Sequence, residues 1–569
     1  MNRELGVEQF GDYINRIYGG KNLIPSITIQ VCDYCSLCCT YCIDGDSQIY
    51  MADNTYKPIK DISVGDIVFG YDEFKPDVLI PAKVLNTFIH KSKVLEVHFS
   101  NGRKLIITDN HKVLTNDFLF KPIGDLSIGQ SIYAYNDYFY KTTIISIKEL
   151  SEEIDVYNIE TETGTYIAEG LAVHNCYQIN KQHHIMSFDT AKLFIDKLLT
   201  NEDNFVIDYF HEPLDGIILD FIGGEPFLQP NLIYDICTYF YKKCFELNKL
   251  DFAEKSKFSF SSNGVHYFEP DVQRYLNKFK NNISFSVSID GNKELHDKCR
   301  VFPDGRGSYD VAIKAVNDWV SKGHYMGSKM TLAPANVMYT YDAVTSMVEN
   351  GYNDINLNCV FEKGWLPEHA TILYYELKRI GDYTLDNNLE DSINVSLFTR
   401  GKFEHLPDSQ NECYCGGNGK MLAIDYKGDL YPCVRYMESS LGADVPPIII
   451  GNIYTGFMKK QSEKDIVNKM QALNRKNYSP KECYDCPIND GCANCIACDY
   501  MYHKDFTVRT TFNCEMHKAT ALANIYYWNK YYRKKNATKR FVNNVPDEWA
   551  LNIIPEKELL LLKELEKDE

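Results

Sequence analysis

Cys35, Cys39 and Cys42 stand at the spacing CxxxCxxC directly after an apolar run at 27–31, and the chain on their far side has a different texture from the chain before them. In an α/β chain such a strand leads into a helix. Here the helix signal, Ser187 as N-cap before apolar residues at helical spacing, arrives only after position 176. Between 42 and 175 the text is all-β: "KVLEVHFSNGRKLIITDNHKVLT" reads as strand, Asn-Gly hairpin turn and second strand, and "YNIETETGTYIAEGLAVHN" continues it. Beyond 176, strands at 216–224, 257–262, 283–290, 328–333 and 354–361 alternate with helices near 229–246, 308–321, 340–350 and 367–380. That alternation predicts a parallel sheet or barrel with outer helices and functional groups at the carboxyl ends of the strands. A β unit has been dropped into an α/β unit.

Length and charge narrow the function classes. A chain of 569 residues exceeds one ordinary core. A formal charge of -18 argues against a nucleic-acid binder, because phosphate contacts need surplus Lys and Arg. The basic run at 528–540 reads as a solvated helix end. No apolar run reaches a membrane span, and the first twenty residues lack a secretory pattern, so the expected compartment is the cytoplasm. In that reducing setting, 19 cysteines clustered at 32–42 and 413–514 point to metal ligation rather than disulfides.

Joining residue 41 to residue 176 gives "CDYCSLCCTYCYQIN" and restores CxxxCxxC with Cys176 in place of Cys42. The removed 134 residues carry an opening Cys42, the box "TDNH" from Thr108 to His111, and a closing "VHN" before Cys176. They resemble a minimal intein of the Hint fold over their whole length. The resemblance implies that Cys42 attacks the Tyr41 carbonyl, Thr108 and His111 act on that peptide, Cys176 accepts the acyl chain, and Asn175, helped by His174, cyclises to release the insertion. It also places Asn158 where such families often carry Asp. The spliced product would have 435 residues.

The restored loop resembles that of radical S-adenosylmethionine enzymes. In that family Cys35, Cys39 and Cys176 would hold a 4Fe-4S cluster with one iron open to S-adenosylmethionine, which is cleaved to a 5'-deoxyadenosyl radical. The fold expected is a partial (β/α)6 barrel. Other boxes occur in family order: "FIGGEP" with Gly223, Gly224 and Glu225, "SSNG" at 261–264, and "SVSIDG" with Ser288, followed by Arg300 in "HDKCR". By resemblance these are cofactor-binding positions. A zinc knuckle is the competing reading of the loop.

The later cysteines resemble the SPASM auxiliary-cluster domain. Cys483, Cys486, Cys492 and Cys514 would hold one 4Fe-4S cluster. Cys415, Cys433 and either Cys495 or Cys498 would hold another, with Cys413 as a further candidate. A zinc ribbon, the alternative, uses four ligands in two CxxC knuckles, whereas this segment has nine cysteines. The expected organisation is 1–41 and 176–400 for the barrel, 42–175 for the insertion, 401–520 for the auxiliary domain and 521–569 for a helical tail. The group implies a peptide or protein substrate, here cysteine-containing, and an electron donor such as flavodoxin or ferredoxin. A sulfatase maturase is disfavoured, because Val434 follows Cys433 where those enzymes share a carboxylate. The contrasting class is a non-catalytic metal-binding scaffold with a dead insertion.

Overall fold

The computed structural model describes residues 24–35, 37, 42–72, 75–109, 111–116, 120–174, 184–302, 306–328, 330–334, 336–413, 415–441 and 445–567. Asn175, Cys176, Cys38 and Cys39 lie outside the described residues.

The host sheet begins with β1 (Ser26–Gln30), β2 (Ile218–Ile222), β3 (Lys257–Ser262) and β4 (Ile283–Val287). It continues through β5 (Gly327–Ser328), β6 (Asp354–Ile355) and β7 (Asn394–Val395), each parallel to its neighbour in that order. On its other side β1 pairs in parallel with β8 (Met421–Ile424), which turns into an antiparallel meander reaching Gly456–Phe457. Thus β1, from before the insertion, is an interior strand flanked on both sides by chain from beyond it. Its burial shows why: Ile27 and Ile29 are fully buried, as expected for a strand covered on both faces.

The expected helices form. Ser187 caps Phe188–Thr200 by accepting from the Thr190 amide. Helices Pro230–Glu246, Tyr309–Ser321, Thr340–Glu349 and Pro367–Asp386 follow their strands. Strands expected to be continuous at 328–333 and 354–361 are instead broken, with Met330–Leu332 and Leu357–Cys359 forming a separate two-stranded ladder. The basic run near 528–540 is a helix end whose Lys534, Lys535 and Lys539 are exposed. It closes the helix Cys514–Lys534, whose Trp528, Asn529 and Tyr532 are buried, and Lys530, Lys534 and Lys535 pair with Asp382 and Glu390. That helix runs continuously across position 520.

Residues 43–174 form a separate 14-stranded antiparallel sheet, pairing only among themselves. Its buried residues make three clusters sharing no member with the host core. The host closes around its base: Cys32 bridges Ile185, and the Met186 amide donates to the Val31 carbonyl at 3.0 Å. Asp33 accepts from the His184 amide and contacts its Nδ1, both at 2.8 Å.

Candidate functional site

Within the insertion, Cys42, Thr108 and His111 come together. Ile43 pairs with Ile107 and Tyr157, which brings Cys42 beside Thr108. The Cys42 amide donates to Thr108 Oγ1 at 3.1 Å; the Thr108 hydroxyl and amide donate to the Cys42 carbonyl at 3.1 and 2.9 Å. Thr108 therefore grips the peptide unit whose nitrogen would become the leaving amine. The His111 amide closes the turn on the Thr108 carbonyl at 3.0 Å, and His111 is fully buried. The closing strand Leu171–His174 reaches the same place, with Val173 opposite Val113.

The Cys42 thiol belongs to this β core. It is fully buried in a cluster with Val94 and Val156. Tyr166, which nothing in the sequence singled out, completes the site. Its ring stands edge-on to His111 at 6.5 Å, and its hydroxyl donates to Asn158 Oδ1 at 3.1 Å. Burial, with Cys42 adding to it, holds the phenol well above its ordinary pKa. Asn158 Oδ1 also accepts from the Ile159 amide at 2.9 Å, so this position is filled by a neutral acceptor.

In the host, the boxes meet at the carboxyl edge of the parallel sheet. Gly223 and Gly224 follow β2 and lie directly on the cysteine loop. A Cβ at Gly224 would fall 2.2 Å from the Tyr34 carbonyl carbon and 2.7 Å from the Cys35 nitrogen; one at Gly223 would fall 2.7 Å from Cys32 Sγ. Only glycine permits that approach. The Glu225 amide donates to the Tyr34 carbonyl at 2.9 Å. The Glu225 side chain is buried and accepts from the Phe227 amide at 3.0 Å, Ser262 Oγ at 2.8 Å and the Asn263 amide at 2.7 Å. Burial raises its pKa and these donors oppose the rise. The carboxylate thus ties β2 to the "SSNG" turn, and Asn263 Nδ2 in turn reaches Cys35 Sγ at 3.5 Å.

Ser288 donates its amide to the Ser262 carbonyl at 2.8 Å, on the next strand end. Arg300 pairs through Nε with Asp290 at 2.6 Å. Beneath them His296 is fully buried: the Asp290 amide donates to its Nδ1 at 3.3 Å, and Nε2–H faces Ser308 Oγ at 3.0 Å, which donates to the Arg300 carbonyl. Burial, then the Arg300 charge, lowers the His296 pKa to about 4. A neutral ring fixes the turn that carries Arg300.

The auxiliary cysteines fall into two groups. Cys415 and Cys433 Sγ both lie where a side chain at Gly417 would begin, 3.4 and 3.5 Å from its Cβ position. Cys495 is within electrostatic reach of both. Cys498 lies within electrostatic reach of Glu362, Arg435 and Cys495. Cys413 interacts with Cys415. The second group is Cys483, Cys486, Cys492 and Cys514, with Arg509 donating to Cys492 Sγ at 3.5 Å. A cavity of about 120 Å³ is lined by Cys413, Cys415, Cys483 and Cys492.

Burial pushes Cys433 and Cys514 up to about 12 and also raises Cys483, Cys486, Cys492 and Cys495. Such thiols need a cationic partner to ionise. Among the described residues no three Cys, His, Asp or Glu converge on a single-ion site. A four-iron cube holds its thiolates farther apart than one ion does, so two thiol groups beside a cavity fit clusters better than zinc. Cys237 and Cys244 are buried in their helix.

Comparison with known proteins agrees with this arrangement. The SPASM family, an iron-sulfur cluster-binding domain, matches residues 413–487. An uncharacterized protein of Methanocaldococcus jannaschii is 27% identical over 266 residues, 45% of this chain and 78% of that protein. The serine-type anaerobic sulfatase-maturating enzyme of Bacteroides thetaiotaomicron is 20% identical over 367 residues, 58% of this chain and 78% of that protein. Among solved structures, the Ssp DnaB mini-intein variant M86 is 27% identical and covers 24% of this chain and 95% of its own, with TM-score 0.23. Native anSMEcpe with bound AdoMet is 15% identical and covers 63% and 90%, with TM-score 0.42. Residues 413–487 thus match the SPASM iron-sulfur cluster-binding domain, and the chain is similar to a serine-type anaerobic sulfatase-maturating enzyme and, over its inserted β sheet, to a mini-intein.

Proposed function

We propose that this chain is a precursor that excises residues 42–175, and that the joined product modifies a peptide or protein by radical chemistry begun from S-adenosylmethionine. The observation that carries the reading is the meeting of Gly223, Gly224 and Asn263 with the Cys35 loop, on the strand that the insertion separates from its neighbours.

For splicing, the Cys42 thiol adds to the Tyr41 carbonyl and the C–N bond breaks, the amine taking the proton. Thr108 holds that nitrogen through its hydroxyl and orients the peptide; His111 is the adjacent proton donor. The acyl chain passes to the Cys176 thiol, the Asn175 side-chain amide attacks its own carbonyl to release the insertion, and a sulfur-to-nitrogen shift leaves the peptide.

In the product, Cys35, Cys39 and Cys176 would hold a 4Fe-4S cluster, which when bound supplies the electron that cleaves S-adenosylmethionine. The strand-end backbone of Gly223 and Gly224, with Ser288 and Arg300, would seat that molecule's amino acid and ribose; Glu225 braces their turns. Cys483, Cys486, Cys492 and Cys514 would hold one auxiliary cluster and Cys415, Cys433 and Cys495 the other, with an electron donor of flavodoxin or ferredoxin type. Val434 after Cys433 disfavours a sulfatase as substrate, and a cysteine-containing peptide is the reading we adopt by analogy, with an auxiliary cluster holding its thiolate. Likeness to the Bacteroides enzyme supports a second reading, maturation of a sulfatase-type serine or cysteine. Protein purified without oxygen and incubated with S-adenosylmethionine, reductant and each peptide class separates these readings. A colourless protein that leaves S-adenosylmethionine intact contradicts both.

A further inference from the structure

Each auxiliary cysteine group has one arginine packed into it, and the two arginines are neutralised differently. Arg509 donates from Nη2 to Cys492 Sγ at 3.5 Å and from Nη1 to Ser479 Oγ at 2.9 Å. Among the described residues no carboxylate pairs with it. Asp499 is within electrostatic reach, but its oxygens accept from Tyr478, Asn494 and the Thr510 amide. Lys518, the other cation facing this group, is already paired with Glu515 at 2.7 Å. Arg435, on the turn after Cys433, is paired with Glu362 at 2.6 Å. One group therefore sees a guanidinium with no carboxylate in direct contact among the described residues, and the other sees an ion pair. Arg509 also reaches Cys413, but Cys492 and Cys483 feel it first among the charges around them.

One-electron reduction of a cluster adds a negative charge and no proton, so a guanidinium donating to a ligand sulfur favours the reduced form, and a guanidinium cancelled by a carboxylate does so less. On the reading that these groups hold iron-sulfur clusters, we propose that Arg509 makes the cluster of Cys483, Cys486, Cys492 and Cys514 the easier one to reduce, while the Arg435–Glu362 pair leaves the cluster of Cys415, Cys433 and Cys495 at a lower potential.

The test is an electron paramagnetic resonance titration against potential on the full spliced chain carrying Cys35→Ser, which silences the first cluster and leaves about eight irons. Two separated transitions are expected. Arg509→Gln should lower the upper one by at least tenfold in its reduction equilibrium, about 59 mV for one electron. Ser479→Asp, which gives Arg509 a carboxylate partner while keeping the guanidinium, should move it the same way, and Glu362→Gln should raise the lower one. If Arg509→Gln fails to load iron, the Ser479→Asp and Glu362→Gln shifts decide. Potentials unmoved by these, or moved oppositely, overturn the inference with the clusters still present. Absence of iron from the unmutated chain instead overturns the parent reading, and this inference with it.

Discussion

In the host sheet, β1 lies between β2 and β8, strands that start about 190 and 390 residues further along the chain. In the insertion every strand pairing is drawn from residues 43–174. The same contrast holds for the sites. Cys42, Thr108, His111, Asn158 and Tyr166 are assembled within one β core, whereas the host loop is shaped by Gly224, Glu225 and Asn263 from other strands. The insertion depends on the host only for the two ends it joins. On the proposed reading the host depends on the insertion leaving, since its third loop cysteine would be Cys176, while the Cys42 thiol packs with Val94 and Val156.

The largest effects should come from breaking the insertion's chemistry. Asn175→Ala should reduce spliced product to an undetectable level while leaving thiol-induced cleavage at Tyr41, and Cys42→Ala should abolish both; intact mass reads each directly. Thr108→Ala keeps the nucleophile but loses the grip on the peptide, and should slow thioester formation by roughly 100-fold, on the order of a lost positioning contact.

Next are changes on the host side. Gly224→Ala places a methyl group against the Tyr34 and Cys35 backbone and should cost about four irons per chain, the first cluster, with splicing unchanged. Gly65→Ala in the insertion meets nothing within 4 Å and strains only a positive φ, so it should cost about 1 kcal/mol and leave iron content alone. If Gly65→Ala stripped iron, the independence of the two regions would be contradicted.

A further effect, confined to host stability, concerns acid. His296 and His517 are both lowered to about 4 by burial. The unfolded chain binds their protons first, so host stability should fall as pH drops from about 6.5 towards 4 and then level, by roughly 3 kcal/mol per ring at most. The urea midpoint of the spliced chain between pH 7 and 5 measures this. His296→Asn should flatten the slope even where it lowers the midpoint.

Much of this organisation was legible in the sequence because periodicity changes at 42 and 176 and the cysteine spacing is restored across the gap. Gly223 and Gly224 were legible as a strand-end box. What could not be read was contact between boxes. Nothing in "GTYIAEG" marks Tyr166 as the partner of Asn158, because they meet across a hairpin inside the core. Arg435 and Arg509 look like ordinary surface cations until the fold sets them beside thiols. Asp33 and His184, 151 residues apart, are joined only by the closing of the sheet around the insertion. The basic run at 528–540 reads as a helix end, but its acidic partners Asp382 and Glu390 lie on a distant stretch that the run itself does not show.

The measurement that tests the central claim most directly is intact mass and iron content on the same sample, expressed and purified without oxygen. The account predicts a 435-residue chain with about 12 irons and a separate 134-residue chain with none. An uncut 569-residue chain carrying the same iron and cleaving S-adenosylmethionine would contradict it, because Cys42 would then be serving as the third ligand.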